Sequence, residues 1–209
     1  MFEGQKTDNF SMRVFLETIE SIVGPNGLKS ILNYAHMQKY IDCLPPDNEE
    51  LAIPLEDLHN LLFSLYELFG TKGARTLQLR VGREIFHVGI KKRPTIAKTL
   101  RVAARLLPET KRMRLILEKL AEYDWKAFYS ESDESPVELK EEKDCFLMIH
   151  KGRYESEEII SQTPVCGIFA GTIEVMVEWI TGHNHNVQEI ECRAMGHPAD
   201  VFKIAKSKT

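Results

Sequence analysis

Apolar residues recur at helical spacing through the first 125 residues, and this periodicity limits the fold more than any other feature of the chain. The clearest case runs from Leu55 to Phe69, where apolar residues fall at i, i+3 and i+7 positions and end at Gly70. The segment 73–90 alternates in part like a strand, but its length and its helical neighbours favour a helix. The pattern predicts helices over residues 10–23, 26–40, 55–70, 73–90, 96–107 and 108–123.

The second half of the chain has the short apolar runs that are typical of strands. A helix over 164–182 interrupts them, with Phe169, Ile173, Met176 and Ile180 in register on one face. Helices that precede strands, with one helix among the strands, indicate an α+β fold in which an antiparallel sheet is packed with helices. The predicted strands are 124–132, 137–150, 187–195 and 199–206, the last two forming a hairpin across Gly196-His197-Pro198.

Composition places the chain with globular proteins that work in water. The hydrophobic content is 43% and the charged content 28%, and 209 residues are enough for one domain with a real core. No apolar run approaches a membrane span, and the first residues lack the features of a signal peptide. Four scattered cysteines do not make a disulfide framework, so we expect reduced thiols and a cytoplasmic location.

Charge is unevenly distributed along the chain. Residues 72–114 contain thirteen Lys or Arg and two acids, whereas residues 131–144 contain seven acids and two lysines. A basic band can bind nucleic acid, anionic lipid or a carboxylated ligand, but no zinc-finger or helix-turn-helix spacing accompanies it. Solvated helix faces explain it more simply, and no nucleic-acid partner is expected.

Motifs that define common catalytic sites are absent from the sequence. There is no Ser-His-Asp order, phosphate-binding loop or dinucleotide fingerprint, so the sequence leaves open whether the protein is an enzyme. His87 and His150 sit on apolar segments, where a hydrogen-bonded core histidine is more common than a ligand.

Two short motifs near the carboxyl terminus resemble the 4-vinyl reductase domain, a family often described as hydrocarbon-binding. The motif PVCGIFAG places Cys166 at the start of a helix with Gly171 five positions later. The motif EIECRAMGHPADVF places Glu189 and Cys192 before a Gly-containing turn and a returning strand. The resemblance covers most of residues 55–205, and it is strongest at the carboxyl-terminal end.

The resemblance implies a division of the chain and a function. Residues 55–209 would form a small-molecule-binding domain with a 4-vinyl-reductase-like fold, and residues 1–54 a helical extension. The implied function is binding of an apolar molecule, a hydrocarbon or a tetrapyrrole, between sheet and helices, in (bacterio)chlorophyll metabolism. The alternatives are a 4-vinyl reductase or its accessory subunit, and a protein-assembly module. No flavin, nucleotide or iron–sulfur motif supplies the electrons that a reductase needs.

Candidate ligand-binding residues follow from the resemblance and from charge. Aromatic residues of the second half would surround the cavity, and arginines of the basic band would pair with carboxylates of a ligand at its mouth. Solvated helix positions are the alternative for the arginines. The candidates are Arg75, Arg80, Arg83, Phe128, Phe146 and Trp179.

A metal site is the second candidate that the resemblance implies. Members of that family that bind zinc use cysteines at the positions of Cys192 and Asp200, together with the Cys166 position and an acid nearby. Here Cys166, Glu189, Cys192 and Asp200 would form a four-coordinate zinc site in which a carboxylate replaces one thiolate. Glu189 and Cys192 are three residues apart and point to opposite faces of a regular strand, so a bulge is required. The alternatives are a histidine donor from 183, 185 or 197, or a hairpin without metal.

The helices predicted at 10–23 and 26–40 carry broad apolar faces. Left uncovered, such faces usually mark an interface, so we expect a homodimer to which these helices contribute.

Overall fold

The computed structural model describes residues 4–128 and 137–209, and the side chains of residues 125–128 lie outside this description. The helices are α1 (Asn9–Tyr34), α2 (Leu55–Lys92), α3 (Pro94–Arg105), α4 (Glu109–Phe128) and α5 (Gly167–Thr181). The strands are β1 (Lys6–Asp8), β2 (Leu51–Pro54), β3 (Val137–Glu141), β4 (Cys145–His150), β5 (His185–Glu191) and β6 (Asp200–Lys208). Among the described residues, no helix has both the length and the apolar character needed to cross a bilayer.

The predicted α+β class is confirmed, with helices first and most of the sheet later. Two glycines divide the longest helices where the sequence predicted breaks. Gly24 in α1 has φ 76° and Gly70 in α2 has φ 65°, conformations that glycine adopts at little cost. The segment 73–90, ambiguous in sequence, is helical as predicted and forms the second part of α2.

Two of the predicted strands need correction. The strand predicted over 137–150 is two strands, β3 and β4, because the chain turns at residues 142–144 and the two halves pair antiparallel with each other. The strand predicted over 124–132 is wrong. Residues 124–128 were expected to begin a strand, but α4 continues through Phe128. The reason lies in Asp124, which is buried and held by contacts to His150 and Arg153 on a distant part of the chain. The remainder of that prediction, and residues 131–136 of the acidic segment, lie outside the described residues.

The larger sheet has four antiparallel strands in the order β3-β4-β6-β5. The predicted carboxyl-terminal hairpin is confirmed, since β5 pairs with β6. A short 3₁₀ turn over Arg193–Met195 and Gly196, with φ 90°, reverse the chain before β6 begins at Asp200. The smaller β1-β2 sheet lies at the start of the chain.

Helix α5 packs on the four-stranded sheet as predicted. Its residues Phe169, Ile173, Met176 and Ile180 are buried in one core with apolar residues of the sheet. The rings of Phe169 and Phe202 meet edge to face, with centroids 5.0 Å apart.

Helices α2 and α5 approach closely through two glycines. A Cβ atom on Gly82 would overlap the carbonyl oxygen of Ile168 and lie 2.9 Å from the nitrogen of Thr172. A Cβ atom on Gly171 would overlap the carbonyl oxygen of Leu79 in the same way. The absence of side chains at these two positions therefore sets the distance between the helices.

Helix α1 packs on α2 within the chain itself. Phe15, Leu16, Ile19 and Leu32 are each at most 1% exposed and belong to a core shared with α2. The apolar face from which we expected a homodimer is therefore largely covered. The homodimer and the division at residue 54 stay predictions.

Candidate ligand-binding site

A cavity of about 640 Å³ lies among the helices and is lined mainly by apolar and aromatic side chains. All five helices contribute to its wall, and so does the segment that follows β4. Its larger apolar lining residues are Phe10, Phe15, Leu58, Ile85, Phe86, Ile90, Ile96, Leu100, Ile116, Leu120, Ile168, Phe169, Met176 and Trp179. Ligand sites generally have this character, an apolar wall with a few polar groups.

Helix α2 supplies one wall because its lining residues share a helical face. The lining positions of α2 are one, three or four residues apart, so they lie side by side on one face of the helix. They are Ile85, Phe86, Gly89 and Ile90. Gly89 matters for the space itself, since a Cβ atom there would meet no atom within 4 Å. A methyl group at Gly89 would therefore enter open volume without displacing a neighbour, and a longer side chain would extend from there into the space beside the wall.

Helix α3 covers the cavity from the solvent side. Ile96, Leu100 and Ala103 recur at helical spacing and line the cavity. Among the twelve residues of this helix, all of them described, Ala104 alone is buried, and Ile96 is 63% exposed. The cover is therefore attached to the rest of the molecule by few contacts.

A charged pair lies in the wall of this mainly apolar cavity. Asp124 and Arg153 both line the cavity and are 3% and 2% exposed. The Arg153 Nη1 atom donates to Asp124 Oδ1 at 3.0 Å, and its Nε atom donates to Glu155 Oε2 at 2.8 Å. The guanidinium lies 3.9 Å from the ring centroid of Phe169, a cation–π contact that fixes its orientation.

His150 completes this network and its neighbours define its tautomer. The Gly152 backbone nitrogen donates to His150 Nδ1 at 3.2 Å, so that nitrogen is an acceptor. The proton therefore sits on Nε2, which donates to Asp124 Oδ2 at 2.8 Å. Burial lowers the pKa of His150 and keeps the imidazole neutral. The prediction that His150 is a hydrogen-bonded core histidine is confirmed.

The two acids beside Arg153 differ in their ionisation. Burial alone would raise the pKa of Asp124, but the Arg153 charge and the His150 hydrogen bond outweigh it and lower that pKa. Burial raises the pKa of Glu155 to about 7, even though Arg153 opposes the change. Asp124 is therefore the acid of the described cavity wall that is ionised at neutral pH.

Positive charges at the mouth of the cavity are already paired. Arg93 forms an ion pair with Glu49, and Lys119 with Glu122 at 2.7 Å. Tyr123 lies beside them and is 43% exposed, which marks where the cavity opens to solvent.

The residues predicted to bind a ligand divide into three groups. Trp179 lines the cavity, whereas Phe146 is fully buried in the sheet core away from it. The described wall of the cavity contains none of Arg75, Arg80 and Arg83, and their role in binding a ligand stays a prediction. Arg75 bonds Glu189 and the Pro164 carbonyl, Arg83 pairs with Glu174, and Arg80 is exposed. The side chain of Phe128 lies outside the described residues.

Sequence reasoning missed the polar end of the cavity. Asp124 comes from α4, while His150 and Arg153 come from the end of β4 and the segment after it. The available signal was the run HKGRYE at 150–155, in which five of six side chains are ionisable at the end of a buried strand and directly after it. Asp124 has no comparable signal, since it lies among other charged residues of an amphipathic helix.

The four predicted metal ligands are brought together next to α5. Possible ligand atoms of Cys166, Glu189, Cys192 and Asp200 all lie within 4.8 Å of one another, and all four residues are buried. The bulge that this required is present, because the β5-β6 register shifts between Glu189 and Glu191. The extra residue, Ile190, is 45% exposed. Their role as metal ligands stays a prediction.

Hydrogen bonds within the protein already occupy both carboxylates of this cluster. Glu189 accepts from the Cys166 backbone nitrogen at 3.1 Å and from Arg75 at 2.9 Å. Asp200 accepts from Ser156 Oγ at 2.7 Å and from the Arg193 nitrogen at 2.8 Å. Burial raises the pKa of Cys166 well above its ordinary value, so this thiol stays protonated. These hydrogen bonds tie the start of α5 to β5, and they tie β6 to the segment after β4 and to the turn between β5 and β6.

Comparison with known proteins identifies a fold. No family model and no curated protein matches the chain. An Fe(II) unliganded H-NOX protein from K. algicida has a TM-score of 0.60 at 13% identity, covering 97% of each chain. A structure from work on heme redox potential and porphyrin distortion has a TM-score of 0.55 at 15% identity, covering 94% of this chain and 93% of that one. The phenol-responsive sensory domain of the transcription activator PoxR, with phenol, has a TM-score of 0.52 at 17% identity, covering 76% and 78%.

These comparisons correct two predictions. The assignment to the 4-vinyl reductase family is wrong, because no family model matches and the structures that match nearly the whole chain are H-NOX proteins. The link to (bacterio)chlorophyll metabolism loses its basis with it. The prediction of zinc is also wrong, since the matched H-NOX structures are described with Fe(II) and heme.

The cavity of this chain does not fit a heme ligated by histidine or cysteine. Heme iron in proteins is usually held by histidine, cysteine, tyrosine, or methionine with histidine. The seven histidines and four cysteines all belong to the described residues, and none of them lines the cavity. Of the remaining residue types, the described wall offers Tyr123, Tyr154 and Met176. The described wall therefore lacks an imidazole or thiolate that could ligate a heme iron.

Proposed function

We propose that this protein binds an apolar small molecule in the cavity among its helices. The observation that carries the proposal is the cavity itself, about 640 Å³ in volume and walled by aromatic and aliphatic side chains. Natural interiors are close-packed and rarely keep voids of this size. Burial of apolar surface provides the binding free energy, at about 25 cal/mol per Å².

The structural neighbours support a binding role over a catalytic one. The PoxR domain is described as a sensory domain with phenol, and the H-NOX proteins are described by their Fe(II) centre. Both descriptions concern small groups held by proteins of this fold. In this chain, the charged residues nearest the cavity are hydrogen-bonded to one another, an arrangement that suits recognition of a ligand.

Calorimetric titration with 2-methoxynaphthalene, a neutral apolar probe, tests this function. We expect one molecule to bind per chain. Gly89→Leu places a side chain in the open volume and should weaken binding roughly tenfold or more. Thr76→Leu, on the exposed side of the same helix, is the control and should bind as the natural chain does.

Two results would count against the proposal. One is that no neutral aromatic probe gives a heat of binding. The other is that Gly89→Leu and the natural chain bind 2-methoxynaphthalene with equal affinity. Addition of hemin provides a further check, for which we expect no absorption band of a ligated heme.

Sedimentation of the same samples tests the predicted homodimer. Ile22 and Tyr34, the apolar residues of α1 that remain exposed, are the candidates for its interface.

A further inference from the structure

We propose that the cavity selects neutral aromatic molecules that carry one hydroxyl group, and that Asp124 accepts the hydrogen bond from that hydroxyl. This inference rests on the proposed function and adds the chemical class of the ligand. Its basis is the charged pair in the wall of an otherwise apolar cavity.

Asp124 keeps capacity for another donor. A carboxylate offers about four lone-pair positions. Asp124 accepts from Arg153 with one oxygen and from His150 with the other, at 3.0 Å and 2.8 Å. A hydroxyl that enters from the cavity side adds a third bond to an ionised acceptor. Bonds of this kind are shorter and stronger than those between neutral groups.

The neighbouring charges disfavour an anionic ligand. Arg153 is paired with both Asp124 and Glu155, and His150 is neutral in the tautomer that its neighbours require. At the mouth, Arg93 and Lys119 are paired with acids as well. A carboxylate in the cavity would meet Asp124, while the cations of the described wall, Arg93, Lys119 and Arg153, are each paired with an acid. Repulsion and the loss of hydration would then weaken its binding.

The wall around the pair suits a flat ring. The Arg153 guanidinium lies over the ring of Phe169, and the ring centroid of Tyr154 is 5.2 Å from it. The rings of Phe86 and Trp179, which also line the cavity, meet edge to face with their centroids 5.6 Å apart. Aromatic pairs prefer such edge and offset contacts, which a ligand ring extends.

Titration of the full chain with three matched probes tests the inference. The probes are 2-naphthol, its methyl ether 2-methoxynaphthalene, and 2-naphthoate, at pH 7. A hydrogen bond to a charged acceptor should make 2-naphthol bind roughly tenfold or more tightly than the ether. We expect 2-naphthoate to bind more weakly than either. Asp124→Asn should reduce the preference for naphthol over the ether several-fold.

One control separates Asp124 from the other polar groups of the wall. Thr99→Val removes the hydroxyl group of a residue that lines the cavity, and it should keep the preference for naphthol. If Asp124→Asn fails to fold, the ratio of the affinities of the natural chain for naphthol and for the ether still tests the inference. Equal binding of naphthol and ether, or tightest binding of naphthoate, would overturn this inference while leaving the proposed function in place. Absence of binding by all three probes would overturn both.

Discussion

Gly82 on α2 lies directly against the carbonyl group of Ile168 on α5, with no room for a Cβ atom between them. This contact joins the helix that forms one wall of the cavity to the helix that carries Phe169, Met176 and Trp179. The geometry of the cavity therefore depends on a position that has no side chain.

Gly82→Ala should destabilise the fold. The added methyl group overlaps backbone atoms, which cannot rotate away as a side chain does, so the helices must separate. We expect a loss of at least about 2 kcal/mol in the free energy of unfolding, measured by urea denaturation. Gly89→Ala on the same helix is the control, because its methyl group meets open space and alanine favours helix by about 1 kcal/mol. Equal stability of the two variants would show that the close approach is not a constraint.

Glu155 should make stability fall as the pH rises through neutrality. Burial raises its pKa in the folded chain to about 7, whereas the ordinary value is 4.5. The unfolded chain then releases this proton more readily, so the contribution of Glu155 to stability is complete below about pH 4.5. That contribution declines between pH 4.5 and 7 and stays lost above it.

Glu155→Gln should remove this part of the pH dependence. Thermal unfolding between pH 5 and 8 measures it, and the variant should show a flatter profile even if its absolute stability is lower. Glu157→Gln is the matched control, since Glu157 is partly exposed and paired with Arg193. If the stability of Glu155→Gln and that of the natural chain change equally with pH, Glu155 is not the source of the pH dependence.

The cluster of Cys166 and Cys192 should fold without a metal ion. Its carboxylates are already hydrogen-bonded, and the Cys166 thiol is protonated. Elemental analysis of protein purified without chelator should show no stoichiometric metal. Cys192→Ser should remain folded, with a loss of about 1 kcal/mol for burying a hydroxyl in place of a thiol. About one equivalent of metal per chain, lost in Cys192→Ser, would instead establish the four residues as ligands.

Local patterns in the sequence predicted much of the fold. The stripe from Leu55 to Phe69 identified the first part of α2, and Gly24 and Gly70 marked the breaks in the long helices. The final hairpin followed from its turn residues and its alternating strands. These features depend on neighbours in sequence, so periodicity and turn chemistry are sufficient to find them.

The site was predicted only in part, because it depends on contacts between distant segments. The cysteine and carboxylate cluster was found through its motifs, and the structure supplied the bulge that the spacing required. The acidic partners of Arg75 and Arg83, Glu189 and Glu174, are about 90 to 115 positions away, so no local pattern in the sequence could show these ion pairs. Asp124 was missed for the same reason, since its partners follow it by 26 and 29 positions.

The slight attachment of α3 sets how quickly molecules can enter and leave. This helix covers the cavity, and Ala104 is the one buried side chain among its twelve residues. Detaching it disturbs far less packing than unfolding the chain, so the residence time of a bound molecule should follow the local opening of α3. Amide protons of α3 should exchange with deuterium faster than those of α5, and a bound molecule that touches Ile96 and Leu100 should slow them. Affinity and lifetime are then governed by different parts of the protein, the first by the fixed walls and the second by the cover.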